Sequence, residues 1–306
     1  MVKYLIKRVL RAIPVVFLVT ILVFFMINLL PGDPALHMFS GQQMSAETID
    51  KARETLGLDK PVPVRYWEWL NRTVRGDLGM SIVAKRPVAE MVANVFPNTV
   101  KLALAGMAVT IVLGITAGLV AAIKKDTWID SIVMFLTTLG VAMPMFWVGL
   151  IAMLFFSVKL HWFPVGGTGF KSLVLPALVL GFRSACLVAR LTRSSVLQVF
   201  EEDYIRTAKA KGVYERRVVV VHMLRNALVP VFTVIGVQTS WLLGGTVIIE
   251  TVFARRGLGT LAVEAIRQMD FPVLQAVVLL SSIIYVCMNI LVDLLNAYID
   301  PRIKYE

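Results

Sequence analysis

The side chains that ordinarily carry chemistry are few and scattered in this 306-residue chain. The two cysteines, Cys186 and Cys287, lie inside apolar stretches, and with His37, His161 and His222 they make no metal-ligand spacing. They read as packing residues, and no metal site is expected. There is no G-x-x-x-x-G-K-[ST] loop to cradle a nucleotide's phosphates, no H-E-x-x-H pair and no G-x-S-x-G turn. The chain is therefore not read as an enzyme. Two ionisable residues within apolar runs, Arg183 and Asp293, are functional hypotheses by default. Both are placed toward the cytoplasmic ends of their runs, where snorkelling or mutual pairing accounts for them. A pump driven by an ion gradient needs carboxylates near the midplane, and none is expected there, which favours an external energy source.

The elements that must position these residues are membrane spans. With 58% hydrophobic and 17% charged residues and a mean hydropathy of +0.76, the chain lies outside the range of soluble domains. Its net charge of +11 does not point to nucleic acid, because the 31 Lys and Arg sit mainly at the ends of apolar runs. Apolar runs long enough to cross ~30 Å of hydrocarbon fall at residues 12–30, 99–123, 132–158, 173–189, 228–249 and 273–297. The fourth is the weakest, interrupted by Pro176 and Arg183. The first follows Lys3, Lys7, Arg8 and Arg11 as a signal peptide would, but it is long enough to span and no A-x-A cleavage site closes it, so it reads as a retained helix.

These runs define an all-α integral membrane protein of about six transmembrane helices. Four basic residues precede the first span, Lys124 and Lys125 follow the second, and eight Lys or Arg lie within 190–225. Both termini are accordingly expected in the cytoplasm, with Trp128, Trp162 and Phe163 anchoring the bundle among membrane lipids at the interfaces. Residues 31–98 form a long outside segment in which eight basic and eight acidic residues balance. Turn signals at 31–34 and 61–63 and a possible helix over 46–56 make it a small ordered cap. Gly106, Gly114, Gly118, Pro144, Gly149, Gly236, Gly244 and Gly245 inside the spans permit close approach and kinks. No inverted repeat relates the first three spans to the last three, which counts against one design of secondary transporter.

The most organised polar segment is 198–225. Glu201, Glu202 and Asp203 precede Lys209 and Lys211, and Gly212 follows, an order that suits the helix dipole and a glycine stop. A short helix is expected over 203–211. Its small residues Thr207, Ala208 and Ala210, with Tyr204 as a larger contact, suit either the groove of a cytoplasmic partner or a solvated helix touching only lipid headgroups.

At this loop the chain resembles the permeases of bacterial ABC importers, in the branch that carries dipeptides and oligopeptides and also glutathione or nickel complexes. The segment Asp203-Tyr204-Ile205-Arg206-Thr207-Ala208-Lys209-Ala210-Lys211-Gly212 matches the D-Y-x-R-T-A-x-A-K-G form of that branch, with Arg206 and Thr207 where the general pattern has glutamate and alanine. Further matches run in order: Leu29-Leu30-Pro31-Gly32-Asp33-Pro34-Ala35, Leu56-Gly57-Leu58-Asp59, Arg75-Gly76-Asp77-Leu78-Gly79, the stretch from His222 to Pro230, and Gly257-Leu258-Gly259.

The resemblance implies a type I importer permease fold in a bacterial inner membrane. Residues 1–98 would hold the first helix and the outside segment, 99–297 a five-helix core with the coupling loop 190–225, and 298–306 a cytoplasmic tail. It also implies a second homologous permease, cytoplasmic ATPase subunits and an extracytoplasmic substrate-binding protein as partners. ATP would be used on the ATPase, with no cofactor on this chain. Asp203, Tyr204, Arg206, Thr207, Ala208, Lys209, Ala210 and Gly212 would couple to the ATPase, and Arg255 and Arg256 are candidates for docking the binding protein or for packing between outside segments. The rival reading is a secondary transporter or channel working without an ATPase.

Overall fold

The computed structural model describes residues 2–29, 60–167, 169–212, 214 and 223–299. The first helix, α1 (Val2–Leu29), is followed by α2 (Val62–Val74) and the long α3 (Val88–Ile123). Next come α4 (Trp128–Ala142) and α5 (Met145–Ala152), the latter continuing as a π-helical stretch, Met153–Lys159. The chain ends with α6 (Phe170–Phe200), α7 (Asp203–Ala210), α8 (Leu224–Val252), α9 (Leu258–Arg267) and α10 (Phe271–Ile299). Among the described residues four helices are long and apolar enough to cross a membrane, and there are up to six spans if two bent pairs each count as one.

The fourth apolar run, the weakest by sequence, is the hub of the bundle. Two thirds (67%) of the apolar window of α6 is buried inside the protein, against 17% for α1 and for α10, whose faces are mostly left uncovered by the rest of the chain. Small residues make this possible. A side-chain carbon on Gly118 of α3 would sit 2.4 Å from the Ala189 carbonyl oxygen, and one on Gly181 of α6 would sit 2.4 Å from that of Gly106. With no side chain in the way the two backbones approach closely, which is how helices gain packing energy when lipid supplies no hydrophobic drive. Thr110 seals the crossing, its hydroxyl donating to Gly106 O (2.9 Å) and Gly181 O (3.2 Å).

The third apolar run, expected as one span over 132–158, is instead broken. α4 and the helix that follows meet at 111°. Met143 and Pro144 are extended, with ψ of 136° and 135°. The cause is local: proline's ring disfavours the helical conformation in the residue before it, and its nitrogen cannot continue the ladder. α8 bends more gently, by 48° between Thr239 and Trp241. The turn signal at 61–63 proves to be the start of α2, where prolines cost little because first-turn N–H groups have no helical partner. α2 packs on α1 through Phe24, Tyr66 and Trp69, and the hydroxyls of Thr20 and Tyr66 lie 2.8 Å apart. The possible helix over 46–56 and the motifs at 30–35 and 56–59 lie outside the described residues.

Arg183 and Asp293 do not pair with each other. Asp293 on α10 forms an ion pair with Arg8 on α1 (3.0 Å), tying the first helix to the last. Arg183 lies ~20 Å along α6 by helical rise, with 17 residues still to follow because the helix continues well past the apolar run.

Candidate functional site

Three polar constructions occupy different levels of the bundle. At the loop end, α7 runs as expected and stops before Gly212, whose φ of +75° is a left-handed conformation that favours glycine. Asp203, Tyr204, Thr207, Ala210 and Gly212 are exposed, so one face of the helix is open to a partner. Arg206, Ala208 and Lys209 lie on the same helix, and their side chains fall outside the described residues. The sequence reading missed Ile205, the one large aliphatic residue in a polar octet. Its side chain is fully buried in a cluster with Ala122, Val196, Met223 and Ala227. Asn226 donates to the Tyr204 hydroxyl at 2.8 Å. The helix is thus bolted to the ends of α3, α6 and α8.

Beside it, Arg193 of α6 grips Asp130 of α4 through two hydrogen bonds of 2.6 Å, from Nε and Nη2. Asp130 is only 5% exposed, and its carboxylate also accepts from the Asp126 N–H (3.2 Å). This bidentate pair holds the start of the broken span against the hub. Neither residue stood out by sequence, because both lie beyond the apolar runs.

At the opposite end, Glu250 closes α8 with no exposed surface. It accepts from the Thr99 hydroxyl (2.6 Å) and the Gly259 N–H (2.7 Å), while Thr99 in turn accepts from the Leu258 N–H (2.8 Å). A carboxylate at the first turn of α9 suits the orphan N–H groups and the dipole there. The Arg255 side chain is 1% exposed and points inward, donating to Gly167 O (3.2 Å). Burial pulls its guanidinium below the ordinary arginine value, and the nearby Glu250 carboxylate opposes that. Arg256 does face outward.

Between these levels the break in the third span opens a cavity of about 680 Å³, lined by residues that include Met143, Met145, Arg183, Trp241, Gly244 and Tyr285. The Arg183 guanidinium lies over the Trp241 ring, 5.5 Å from its centroid. Among the described residues no carboxylate pairs with it, and no group of three or more His, Cys, Asp or Glu is placed to hold a metal ion.

Comparison with known proteins bears on what such a bundle serves. The family described as binding-protein-dependent transport system inner membrane component is matched over residues 114–305, and the family of N-terminal segments of such membrane components over residues 1–103. The chain is 45% identical to the glutathione transport system permease protein GsiC of Pectobacterium atrosepticum and 42% identical to that of Escherichia coli, in each case over the full length of both chains. In fold it is similar to a chain of the MetNI methionine ABC transporter in an inward-facing conformation, with a TM-score of 0.57 at 16% identity, covering 69% of this chain and 96% of that one.

Proposed function

The chain belongs to the family of binding-protein-dependent transport system inner membrane components, and from that premise we propose that it conducts small peptides, glutathione or its relatives among them, into the cell. It is a multi-pass inner-membrane permease subunit of an ABC importer. An ATPase and a substrate-binding protein are its partners in kind. The finer assignments are the proposal: two homologous permeases enclose the pathway, both termini and α7 face the cytoplasm, and ATP is bound and hydrolysed on the ATPase while this chain carries no cofactor and no catalytic site. The peptide assignment draws on the relatives named for glutathione transport.

The observation that carries the coupling role is the construction of α7. A helix with an exposed polar face and a fully buried Ile205 transmits a push at its surface to α3, α6 and α8. Asp203, Tyr204, Thr207, Ala210 and Gly212 face outward there, and Arg206, Ala208 and Lys209 belong to the same surface element in this reading. Closure of an ATPase dimer would then draw the docked helices together and reorient the bundle. At the other end, Arg256 remains a candidate for contact with the binding protein, while Arg255 holds the loop from beneath. Co-purification from membranes tests the reading: wild type should bring down an ATPase and a second permease, and a variant with bulky residues at Ala208 and Gly212 should lose the ATPase. Wild type that purifies alone and still transports would overturn it in favour of a transporter without an ATPase.

A further inference from the structure

Docking through α7 leaves the cavity at the α4–α5 break without a role. Three properties make it a solute site rather than a packing defect. First, its volume of about 680 Å³ is within the range of small-molecule sites, roughly 300–1,000 Å³. Second, Arg183 is the one charged side chain among its lining residues and sits mid-helix in the hub of the bundle. A guanidinium within an apolar run is costly in hydrocarbon, and such residues face cavities and mark solute pathways. Third, it has no anionic partner among the described residues. The Trp241 ring, with its centroid 5.5 Å from the guanidinium carbon, steadies the charge, and a cation–π contact consumes no hydrogen-bond acceptor, so the N–H donors remain available to a ligand.

The rest of the wall suits a peptide of unspecified sequence. Met143 and Met145 supply flexible apolar surface that repacks around different side chains, and the Tyr285 hydroxyl offers a neutral hydrogen bond. A side chain placed on Gly244 would meet nothing within 4 Å, so its backbone borders open space. Resting on the importer reading above, we propose that Arg183, held against Trp241, is a carboxylate-binding subsite of the translocation pathway. The planar fork takes a peptide's carboxylate through two parallel N–H···O bonds, while the methionine-lined wall accepts the side chains. The ligand chemistry is a carboxylate, from the peptide's C-terminus or from an acidic side chain.

The test is ATP-driven uptake by the complete importer in liposomes, with three probes: a neutral dipeptide, the same dipeptide with a C-terminal amide, and a glutamyl dipeptide amide. Each variant is divided by wild type for the same probe, so selection made by the binding protein cancels. R183Q should lower uptake of the free dipeptide about tenfold or more and of its amide, which lacks the carboxylate, less than about twofold, as loss of a charge-assisted pair requires. R183K should recover part of the loss. A glutamyl amide that falls with the free dipeptide shows that a side-chain carboxylate is read as well; one that does not fall confines the subsite to the C-terminus. G244L should block every probe. Equal loss for free and amidated dipeptides, no loss for either, or failure of both R183Q and R183K to assemble would overturn the subsite and make Arg183 structural. Uptake untouched by G244L would remove the solute from this cavity. Wild type that moves no peptide at all would overturn the peptide reading itself, and the subsite with it.

Discussion

Glu250 and Asp130 show how much of the bundle's order rests on single carboxylates meeting donors distant in sequence. Replacing Glu250 by alanine would leave the Thr99 hydroxyl and the Gly259 N–H buried without an acceptor. The expected cost is about 2–4 kcal/mol, seen as a lower midpoint of thermal unfolding in detergent, and Glu250→Gln should recover part of it. Gly257→Ala should act at the same place, because its new carbon would fall within 2.3 Å of three atoms of the Glu250 carboxylate group. Across the bundle, Asp130→Ala strands the Arg193 guanidinium, 25% exposed, against the hub. It should cost about 3 kcal/mol. The double change Asp130→Leu with Arg193→Met should be milder than either single change, because the penalty is that of an uncompensated charge rather than of a lost attraction.

Helices couple through the residues that lie between them. The α3–α6 crossing depends on glycines, and Gly118→Leu would drive a side chain into the Ala189 carbonyl and Thr192. The expected result is a permease that no longer assembles, read by its loss from a co-purified complex. Ile205→Ala tests the opposite case, a helix that stays exposed but loses its bolt. Removing a fully buried isoleucine costs about 2–4 kcal/mol of local anchoring. ATPase should still bind, since the outward face of α7 is unchanged, while ATP hydrolysis drives less uptake per turnover. Unaltered coupling in that variant would show that α7 does not transmit force through Ile205.

For the whole molecule, the outstanding expectation is orientation. By the distribution of Lys and Arg at the N-terminus, at 124–125 and within 190–225, both termini are expected on the cytoplasmic side. Green fluorescent protein fused after residue 306 should therefore fluoresce, and alkaline phosphatase fused there should be inactive. The reverse pattern would invert the assignment of α7 to the ATPase side. The exposed ring of Trp241 and the cavity behind it share one face of α8. A charge within an apolar run, as Arg183 is, is tolerable only where protein or water, rather than lipid, covers it, which fits the proposed pathway between two permeases.

The apolar runs, the charge asymmetry and the short loop helix were legible in the sequence because each depends on local composition and on periodicities of a few residues. They sufficed for an all-helical membrane protein of about six spans, for the family, and for a short helix in the loop, Asp203–Ala210. Pro144 stood in the sequence as a kink, but the 111° it produces is set by where α4 and α5 can pack. That Ile205 is an anchor, that Arg255 turns inward while Arg256 turns out, and that the interrupted fourth run is the hub could not be read in advance. Each is decided by partners far along the chain, as when Thr99 meets Glu250 across 151 positions. Arg183 is the sharpest instance: its type was visible, but only the tertiary structure set it mid-helix, against Trp241 and beside open space, because burial and charge pairing belong to the packed bundle and not to any one segment.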